Sequence, residues 1–344
     1  MTKTTTTSIM TSTMRLLALT TLLTTATASK RGLALISSTP DSDIEFLTSN
    51  DSAISWYYTW SPYAHPAVSS SVEFLPLLHG VDAASDDNLI SILDRTPETS
   101  KHLLTFNEPD HGKDDGGSDI SPKDAAKAYI EHIVPLRTSK DGERTWNISH
   151  PSVTGSEKGL EWLRDFNSSC YDIDPKNGCP TDFIAVHYYG AFPGLAGWLG
   201  ALREFYNDTY SSSDDIPPIY ITEMAFAGED DEANVAMLNE SMQYLDEQDW
   251  VDGYAWFGAF RKDDANGWTG DGVSMLEDDG GLTELGSEYL GGEDNGFEEG
   301  AKGDGDDDDD DGAFTVKPDL RLMMALLCVV MAMSTFMGEL NLTF

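Results

Sequence analysis

The sequence predicts an α/β protein, a single (β/α)8 TIM barrel over residues 29–292. Eight short segments in this range are apolar and rich in β-branched and aromatic residues, as strands buried on both faces are. Segments with apolar residues at helical spacing alternate with them, which is the order expected of a barrel. The alternative is an open doubly wound sheet, but no Gly-rich phosphate turn follows the first strand segment.

The elements follow from local patterns. The predicted strands are 32–36, 54–58, 73–78, 102–106, 146–150, 183–187, 219–222 and 253–256. One predicted helix begins at Ser121, an N-cap serine followed by Pro122 at the first helical position, and ends near Leu136. The other predicted helices are 158–166, 195–206 and 231–248, with shorter ones at 86–93 and 282–290.

The first 28 residues resemble a secretory signal. Lys3 and Arg15 supply positive charge, residues 16–23 form a short apolar stretch diluted by threonine, and Ala26-Thr27-Ala28 fits a small-residue cleavage site. The alternative is an N-terminal membrane anchor, for which the stretch is short and rich in threonine. We therefore expect residues 1–28 to be a signal peptide.

The C-terminal end has the composition of a second targeting signal. Residues 293–312 are acidic and rich in Gly and Asp, and we predict a disordered stalk there. Residues 313–344 contain a spacer and an apolar tail, 322–337, as in a glycosylphosphatidylinositol (GPI) signal with attachment at Asp311 or Gly312. The alternative is a transmembrane helix, although the tail is shorter than the ~20 residues needed to span. We therefore predict a secreted protein at the extracellular face of the plasma membrane or in the cell wall, which contacts the membrane only through a lipid anchor.

Two of the three cysteines are predicted to pair. Cys170 and Cys179 flank a segment rich in turn-forming residues, whereas Cys328 lies in the C-terminal tail. In an oxidising compartment the first two should form a disulfide, and no His or Cys at ligand spacing suggests metal binding. Six Asn-x-Ser/Thr sequons favour a secreted glycoprotein; they begin at Asn50, Asn147, Asn167, Asn207, Asn239 and Asn341.

The charge balance limits the classes of partner. Sixty acidic and 21 basic residues give a net charge of −39. A nucleic-acid backbone would be repelled, whereas a neutral polysaccharide would not. We therefore expect no nucleic-acid partner. We also expect the protein to be a monomer.

Two glutamates are the candidate catalytic residues. Glu108 follows the fourth predicted strand and Glu223 follows the seventh, and barrel active sites lie at the C-terminal ends of strands. Two carboxyl groups about 5–5.5 Å apart suit retaining glycoside hydrolysis. Glu108 is predicted to be the general acid/base, with its pKa raised by burial and a neighbouring carboxylate, and Glu223 the nucleophile. For either glutamate alone, a salt-bridged strand-end residue is the alternative.

Other strand ends carry side chains suited to sugars. Aromatic faces stack on pyranose rings, and an Asn beside the acid can bond the sugar 2-hydroxyl. Tyr188 is predicted to hydrogen-bond Glu223, and His79 and His150 are weaker candidates that could be satisfied rim histidines. The predicted substrate-binding residues are Asn107, Trp56, Tyr58, His187, Tyr188 and Trp256. No metal site and no cofactor are predicted.

An ordered set of motifs resembles glycoside hydrolase family 128, the alkali-sensitive-linkage group of β-1,3-glucanase catalytic domains. The motifs are WYYTW at 56–60, NEPD at 107–110, DFIAVHYYG at 182–190, YITEMA at 220–225 and GYAWFGAF at 253–260. The resemblance implies a retaining β-1,3-glucan hydrolase with Glu108 as acid/base and Glu223 as nucleophile. The sequence departs from the family pattern at His79, at residues 149–151 and at residues 111–117, HGKDDGG.

These observations lead to one functional prediction and two alternatives. The prediction is a retaining endo-β-1,3-glucanase that acts on cell-wall or storage glucan by double displacement. The first alternative is a cell-surface protein that binds β-glucan with little or no catalysis, and the second is a hydrolase of another β-linked glycan. The presence of both carboxylates favours the enzyme, because a binding module needs neither.

Overall fold

The computed structural model describes residues 29–138, 144–210 and 216–303. Within these residues the strands of one parallel sheet alternate with helices along the chain. The strands are β1 Arg31–Ala34, β2 Ile54–Tyr58, β3 Glu73–Phe74, β4 Leu77–Leu78, β5 His102–Thr105, β6 Asn147–His150, β7 Phe183–Tyr189, β8 Ile219–Ala225 and β9 Val251–Trp256. The α-helices are α1 Asp41–Leu47, α2 Val81–Ala84, α3 Leu89–Leu93, α4 Pro122–Ala128, α5 Glu157–Ile173, α6 Phe192–Thr209, α7 Asp231–Asp246 and α8 Glu284–Leu290.

The strand order confirms the predicted barrel. It runs β3-β2-β1-β9-β8-β7-β6-β5-β4, and all named pairs are parallel. The two ends of this order, β3 and β4, are one predicted strand, 73–78, interrupted at Leu75 and Pro76. Leu75 N donates to Tyr57 O at 2.9 Å, and Leu104 N donates to Pro76 O at 2.9 Å. This interrupted strand therefore joins both neighbours and closes the ring at eight strand positions.

The predicted helix start at Ser121 is also confirmed. Ser121 Oγ accepts a hydrogen bond from Asp124 N at 3.2 Å, and Pro122 opens α4. The predicted helix to near Leu136 is not α-helical throughout. After α4 the chain forms a π-helical turn, Tyr129–Ile133, and then a 3-10 turn, Val134–Arg137.

The barrel interior follows the two-residue alternation of side chains along a strand. On β7, Phe183 and Ala185 belong to the inner apolar cluster, and His187 and Tyr189 continue the same face to the mouth. The inner cluster is Ala34, Trp56, Tyr58, Leu75, Leu77, Leu104, Phe183, Ala185, Tyr220 and Ala255.

Trp56 fills the floor of the barrel, so the prediction that it binds substrate is wrong. Its indole Nε1 donates to Lys30 O at 3.0 Å, and its ring centroid lies 5.4 Å from that of Tyr220. A Cβ at Gly32 would lie 2.1 Å from the indole, and one at Gly253 would lie 2.8 Å from Nε1. These two glycines make the room that the indole occupies.

The Cys170–Cys179 disulfide is present, as predicted. It joins α5 to the segment before β7. His150 lies behind the same region and is fully enclosed: its two ring nitrogens contact Tyr206 Oη at 2.9 Å and Cys179 O at 2.7 Å. His150 is therefore a satisfied structural histidine rather than a site residue.

The predicted domain boundary at 292 is too early, and residues 293–303 are not a disordered stalk. Phe297 is buried, with its ring centroid 5.7 Å from that of Phe46. Leu282 N donates to Ala301 O, and Lys302 pairs with Asp279 at 3.1 Å. This segment packs on the barrel because its aromatic and backbone groups find partners there.

The remaining terminal predictions lie outside the described residues. These are the signal peptide, the acidic run 306–311 and the GPI tail. Within the described part of the chain, no helix combines the length and apolar character needed to cross a bilayer.

Candidate active site

An open cleft of about 1120 Å³ lies at the C-terminal ends of the strands, where barrel active sites are found. Glu108 and Glu223 both line it, together with the polar side chain of Asn107. The aromatic or apolar residues of its wall are Ile36, Trp60, Tyr189, Phe257 and Trp268. The cleft therefore combines ring faces with a few polar groups, as sugar-binding sites do.

Glu108 reaches the cleft through a strained backbone segment. Beyond β5, Phe106 has φ 27° and Glu108 has φ 38°, in the left-handed region that non-glycine residues rarely adopt. The segment is held because Glu108 N donates to Ser152 O at 2.8 Å and Phe106 N donates to Leu78 O at 2.9 Å. Strain of this kind concentrates at functional sites.

Glu223 reaches the cleft through an irregular register. Tyr220 on β8 faces the barrel interior, so regular alternation would turn Glu223 outward. The pairing of β8 with β9 is irregular between Ile221 and Met224, and its pairing with β7 shifts at Val186/His187. A β-bulge re-aims the side chains beyond it, and here it turns Glu223 to the mouth beside its register partner His187.

His187 lies between the two glutamates. Its Nδ1 is 2.9 Å from Glu108 Oε1, and its Nε2 is 3.4 Å from Glu223 Oε1, without hydrogen-bond geometry. One carboxylate oxygen of Glu108, one of Glu223 and one ring nitrogen of His187 all lie within 4.8 Å of one another. The set could hold a metal ion, although one His187 nitrogen is already bonded to Glu108. The carboxylates are thus close enough to act on one bond.

Glu223 is held by three neutral donors. Tyr58 Oη and Trp60 Nε1 each donate to Oε1 at 2.9 Å, and Tyr189 Oη donates to Oε2 at 2.7 Å. Burial, with the charge of Glu223, raises the pKa of both tyrosines well above the usual value, so they keep their protons. These donors orient the carboxylate and stabilise its negative charge.

The proton balance of Glu108 differs from the prediction. Burial is the largest single effect and raises the pKa of Glu108, but the hydrogen bond and charge of His187, with the charges of His111 and His79, outweigh it. The pKa of Glu108 is therefore lowered, and the predicted increase is wrong.

His187 has the complementary shift. Burial, again the largest effect, lowers its pKa, but the charge of Glu223 and the hydrogen bond and charge of Glu108 raise it above the ordinary value overall. An imidazolium between two carboxylates is the arrangement that these shifts describe.

Asn107 lies in the cleft wall as predicted. Its Nδ2 donates to Gly116 O at 3.1 Å, which fixes the amide orientation. Its Oδ1 is buried without a hydrogen-bond partner. A buried acceptor without a partner costs free energy, so it is suited to accept a bond from a ligand hydroxyl.

Two further predicted binding residues lie outside the cleft because of strand alternation. Tyr188 packs against Gly155, Gly190 and Gly194 and does not contact Glu223; the hydrogen bond predicted for it comes from Tyr189. Trp256 is fully buried on the outer side of β9, where its Nε1 donates to Val273 O at 2.9 Å. Both predictions of substrate contact are therefore wrong.

The other predicted side chains are near the carboxylates. Tyr58 is fully buried and touches Glu223, so it holds the carboxylate rather than lining the cleft. His79 lines the cleft, where its Nε2 is 3.2 Å from Gly116 O.

Four aromatic residues that line the cleft are absent from the predicted binding residues: Trp60, Tyr189, Phe257 and Trp268. The first three lie on or just beyond a strand, an even number of positions after an inner-cluster residue, which is Tyr58, Ala185 or Ala255. The two-residue alternation would have found them once one inward residue was known. Trp268 lies in a loop, and no periodic pattern identifies it.

The fold and this carboxylate pair define a glycosidase-type barrel, and comparison with known proteins agrees. Residues 32–289 match the family described as glycosyl hydrolase catalytic core, and the chain belongs to this family. No curated protein matches the chain.

Solved structures of glycoside hydrolase family 128 are similar to the chain. A subgroup II endo-β-1,3-glucanase from Sorangium cellulosum is 26% identical, with TM-score 0.58, over 76% of this chain and 98% of that one. A subgroup V exo-β-1,3-glucanase from Cryptococcus neoformans is 25% identical, with TM-score 0.56 and the same coverage. A subgroup VII oligosaccharide-binding protein from Trichoderma gamsii shares the fold at 20% identity and TM-score 0.53, over 76% and 92%. The resemblance to family 128 is confirmed.

Proposed function

We propose that this glycosidase is a retaining endo-β-1,3-glucanase in which Glu223 is the nucleophile and Glu108 the general acid/base. The observation that carries the proposal is the pair of carboxylates within 4.8 Å of one another through single oxygens, in an open cleft with aromatic walls. A short separation suits a retaining enzyme, because an inverting one leaves room for a water molecule between its carboxyl groups.

The roles follow from the partners of each carboxylate. Glu223 is held by three neutral donors, which suits a carboxylate that stays ionised and attacks the anomeric carbon. Its oxygen bonds to that carbon as the glycosidic C–O bond breaks, and the leaving oxygen takes a proton from Glu108. Water then attacks the glycosyl-enzyme, gives a proton to Glu108 and frees Glu223.

Substrate binding supplies the protonation state that Glu108 needs. Burial raises the pKa of Glu108, but the hydrogen bond and charge of His187 outweigh it, so the pKa is lowered. A bound sugar excludes water from the cleft, and loss of hydration favours the neutral form of a carboxyl group. Asn107 Oδ1, buried without a partner, would accept a hydrogen bond from the sugar 2-hydroxyl.

The β-1,3 linkage in this proposal rests on family membership and on similarity. Family 128 neighbours of about equal identity are named as endo- and as exo-β-1,3-glucanases. We favour the endo mode because the cleft is open at the barrel mouth and has the ring of Trp268 exposed at its edge.

Activity on linear β-1,3-glucan tests the proposal. Glu223→Gln and Glu108→Gln should each reduce hydrolysis by at least about 10³-fold, whereas Glu161→Gln on the exposed side of α5 should not. Early products should span several chain lengths, and proton NMR should show the β-anomer first. A parent protein that binds glucan without releasing reducing ends would favour the first alternative, a binding protein. Cleavage only of another glycan would favour the second alternative, a hydrolase of another β-linked glycan.

We also propose that the enzyme acts as a monomer outside the cell on a lipid anchor. The disulfide in the described part of the chain fits an oxidising compartment. Phosphatidylinositol-specific phospholipase C should release the protein from cells. Retention of the protein in the membrane fraction after treatment would contradict the anchor.

A further inference from the structure

The two oxygens of Glu108 have different histidine partners. Oε1 is 2.9 Å from Nδ1 of His187, which is 1% exposed. Oε2 is 3.7 Å from Nδ1 of His111, which is 45% exposed. One oxygen is therefore held inside the barrel, and the other faces a solvent-accessible histidine in the cleft wall.

A tight loop holds His111 in this position. His111 N donates to Glu108 O at 2.9 Å, and Asp119 N donates to His111 O at 3.0 Å. A Cβ at Gly117 would lie 2.3 Å from His111 O and 2.7 Å from Glu108 O, so the loop closes this tightly only with glycine there. The outer ring nitrogen of His111, Nε2, is 3.6 Å from Asp115 Oδ2 of the same loop.

The assignment of the oxygens follows from these contacts. Because Oε1 is engaged by His187, Oε2 is the oxygen free to give a proton to a leaving group. His111 lies next to that atom. We propose that His111 is a positioning residue for Glu108, which holds Oε2 on the leaving-group side of the cleft and sets the pH at which Oε2 carries its proton. The proposal rests on the proposed function only in taking Glu108 as the acid.

The charged surroundings define the direction of the effect. Glu108 is faced by His187 on β7, Glu223 on β8 and His79 after β4, and by His111 on its own loop. His111 is faced by Glu108 and Asp115, and the same part of the cleft wall includes Asp114, Asp110 and Lys158. A protonated His111 stabilises the Glu108 carboxylate, so its removal should make Glu108 bind its proton more tightly.

The size of the effect is moderate because His111 is partly exposed. Two unit charges about 4 Å apart in a water-like dielectric change a proton affinity by roughly fivefold. Exposed charges are screened, so the change should shrink as salt concentration increases.

Titration of Glu108 by carbon NMR tests the inference without need of activity. Protein labelled with ¹³C at the glutamate carboxyl is titrated, and the Glu108 signal is assigned with Glu108→Gln. His111→Gln should raise the proton affinity of Glu108 about three- to fivefold at low salt. His111→Arg keeps the charge and should restore the parent titration. His132→Gln, on the outer helices, is the matched control and should have no effect. An unchanged Glu108 titration in His111→Gln would overturn the inference.

Kinetics then separate the inference from the proposed function. In a retaining enzyme the alkaline limb of kcat/KM reports the general acid, so His111→Gln should move that limb to higher pH and leave the acid limb in place. A shifted titration in a protein that hydrolyses no glucan would refute the enzyme and support the role of His111. Hydrolysis with neither the titration nor the limb shifted would refute the role of His111 and support the enzyme.

Discussion

Tyr189 donates its phenolic proton to Glu223 Oε2 over 2.7 Å, the shortest of the three hydrogen bonds that hold this carboxylate. Its chain neighbour Tyr188 lies on the opposite side of the strand against glycines 155, 190 and 194. Two adjacent tyrosines thus have different environments, and the contrast between them allows a controlled experiment.

Tyr189→Phe should lower kcat/KM about 10- to 100-fold. The substitution removes one hydrogen bond to a charged group, which is worth roughly 1.5–3 kcal/mol. Tyr188→Phe removes the same atom outside the cleft and should stay within about twofold of the parent. Steady-state kinetics on a soluble β-1,3-oligosaccharide give the comparison. Equal losses in both variants would mean that Tyr189 does not act through Glu223.

Trp268→Ala should weaken glucan binding while leaving stability unchanged. The indole is 63% exposed, lines the cleft, and has its ring centroid 4.8 Å from that of Tyr189. Loss of one stacking platform should raise KM about 5- to 10-fold, and the free energy of unfolding should change by less than about 0.5 kcal/mol. Tyr63, 60% exposed and not in the cleft lining, is the matched control. A similar increase in KM in Tyr63→Ala would argue against a specific platform.

Trp56→Ala should lower the free energy of unfolding and leave KM unchanged, the reverse of what is expected for Trp268→Ala. The indole fills the barrel floor between Gly32 and Gly253, so its removal leaves a cavity and should cost about 3–5 kcal/mol of unfolding free energy. Urea denaturation measures the cost. The remaining folded protein should keep its KM, because Trp56 does not line the cleft. A raised KM at unchanged stability would restore Trp56 as a binding residue.

His150 should make the protein sensitive to acid. Burial lowers its pKa to about 4, although a hydrogen bond to Cys179 opposes the shift. The unfolded chain binds a proton at His150 more tightly than the folded chain does. The free energy of unfolding should therefore keep its full value above the unfolded pKa of ~6.5 and should fall by about 3 kcal/mol as the pH decreases toward 4. His150→Gln should lack this part of the pH dependence. The difference between the two stability curves isolates His150, since Glu108 and His187 are common to both. Parallel curves between pH 7 and 4 would contradict the burial of a neutral imidazole.

The sequence was sufficient for the barrel because its strands are short, apolar and separated by amphipathic segments, a pattern imposed by burial on both faces. It located Glu108 and Glu223 because strand ends in a barrel converge at one mouth. It failed at Trp56, Tyr188 and Trp256 because aromatic content alone does not reveal which side of a strand points inward. It also failed at 293–303, where a buried Phe297 within an acidic segment anchors the chain to the barrel.

The amino-acid sequence by itself determined the architecture, the cysteine pair and the two glutamates that meet at the barrel mouth, since these depend on periodicity and on the order of residues along the chain. Only the tertiary structure decided which aromatic rings line the cleft and which histidines hold Glu108. Those facts depend on an irregular register at β8, on positive φ values at Phe106 and Glu108, and on a His187 enclosed between two acidic groups. The direction of these side chains and the proton affinity of Glu108 depend mainly on residues that are distant in the chain, such as His187, and the local sequence pattern alone does not fix them.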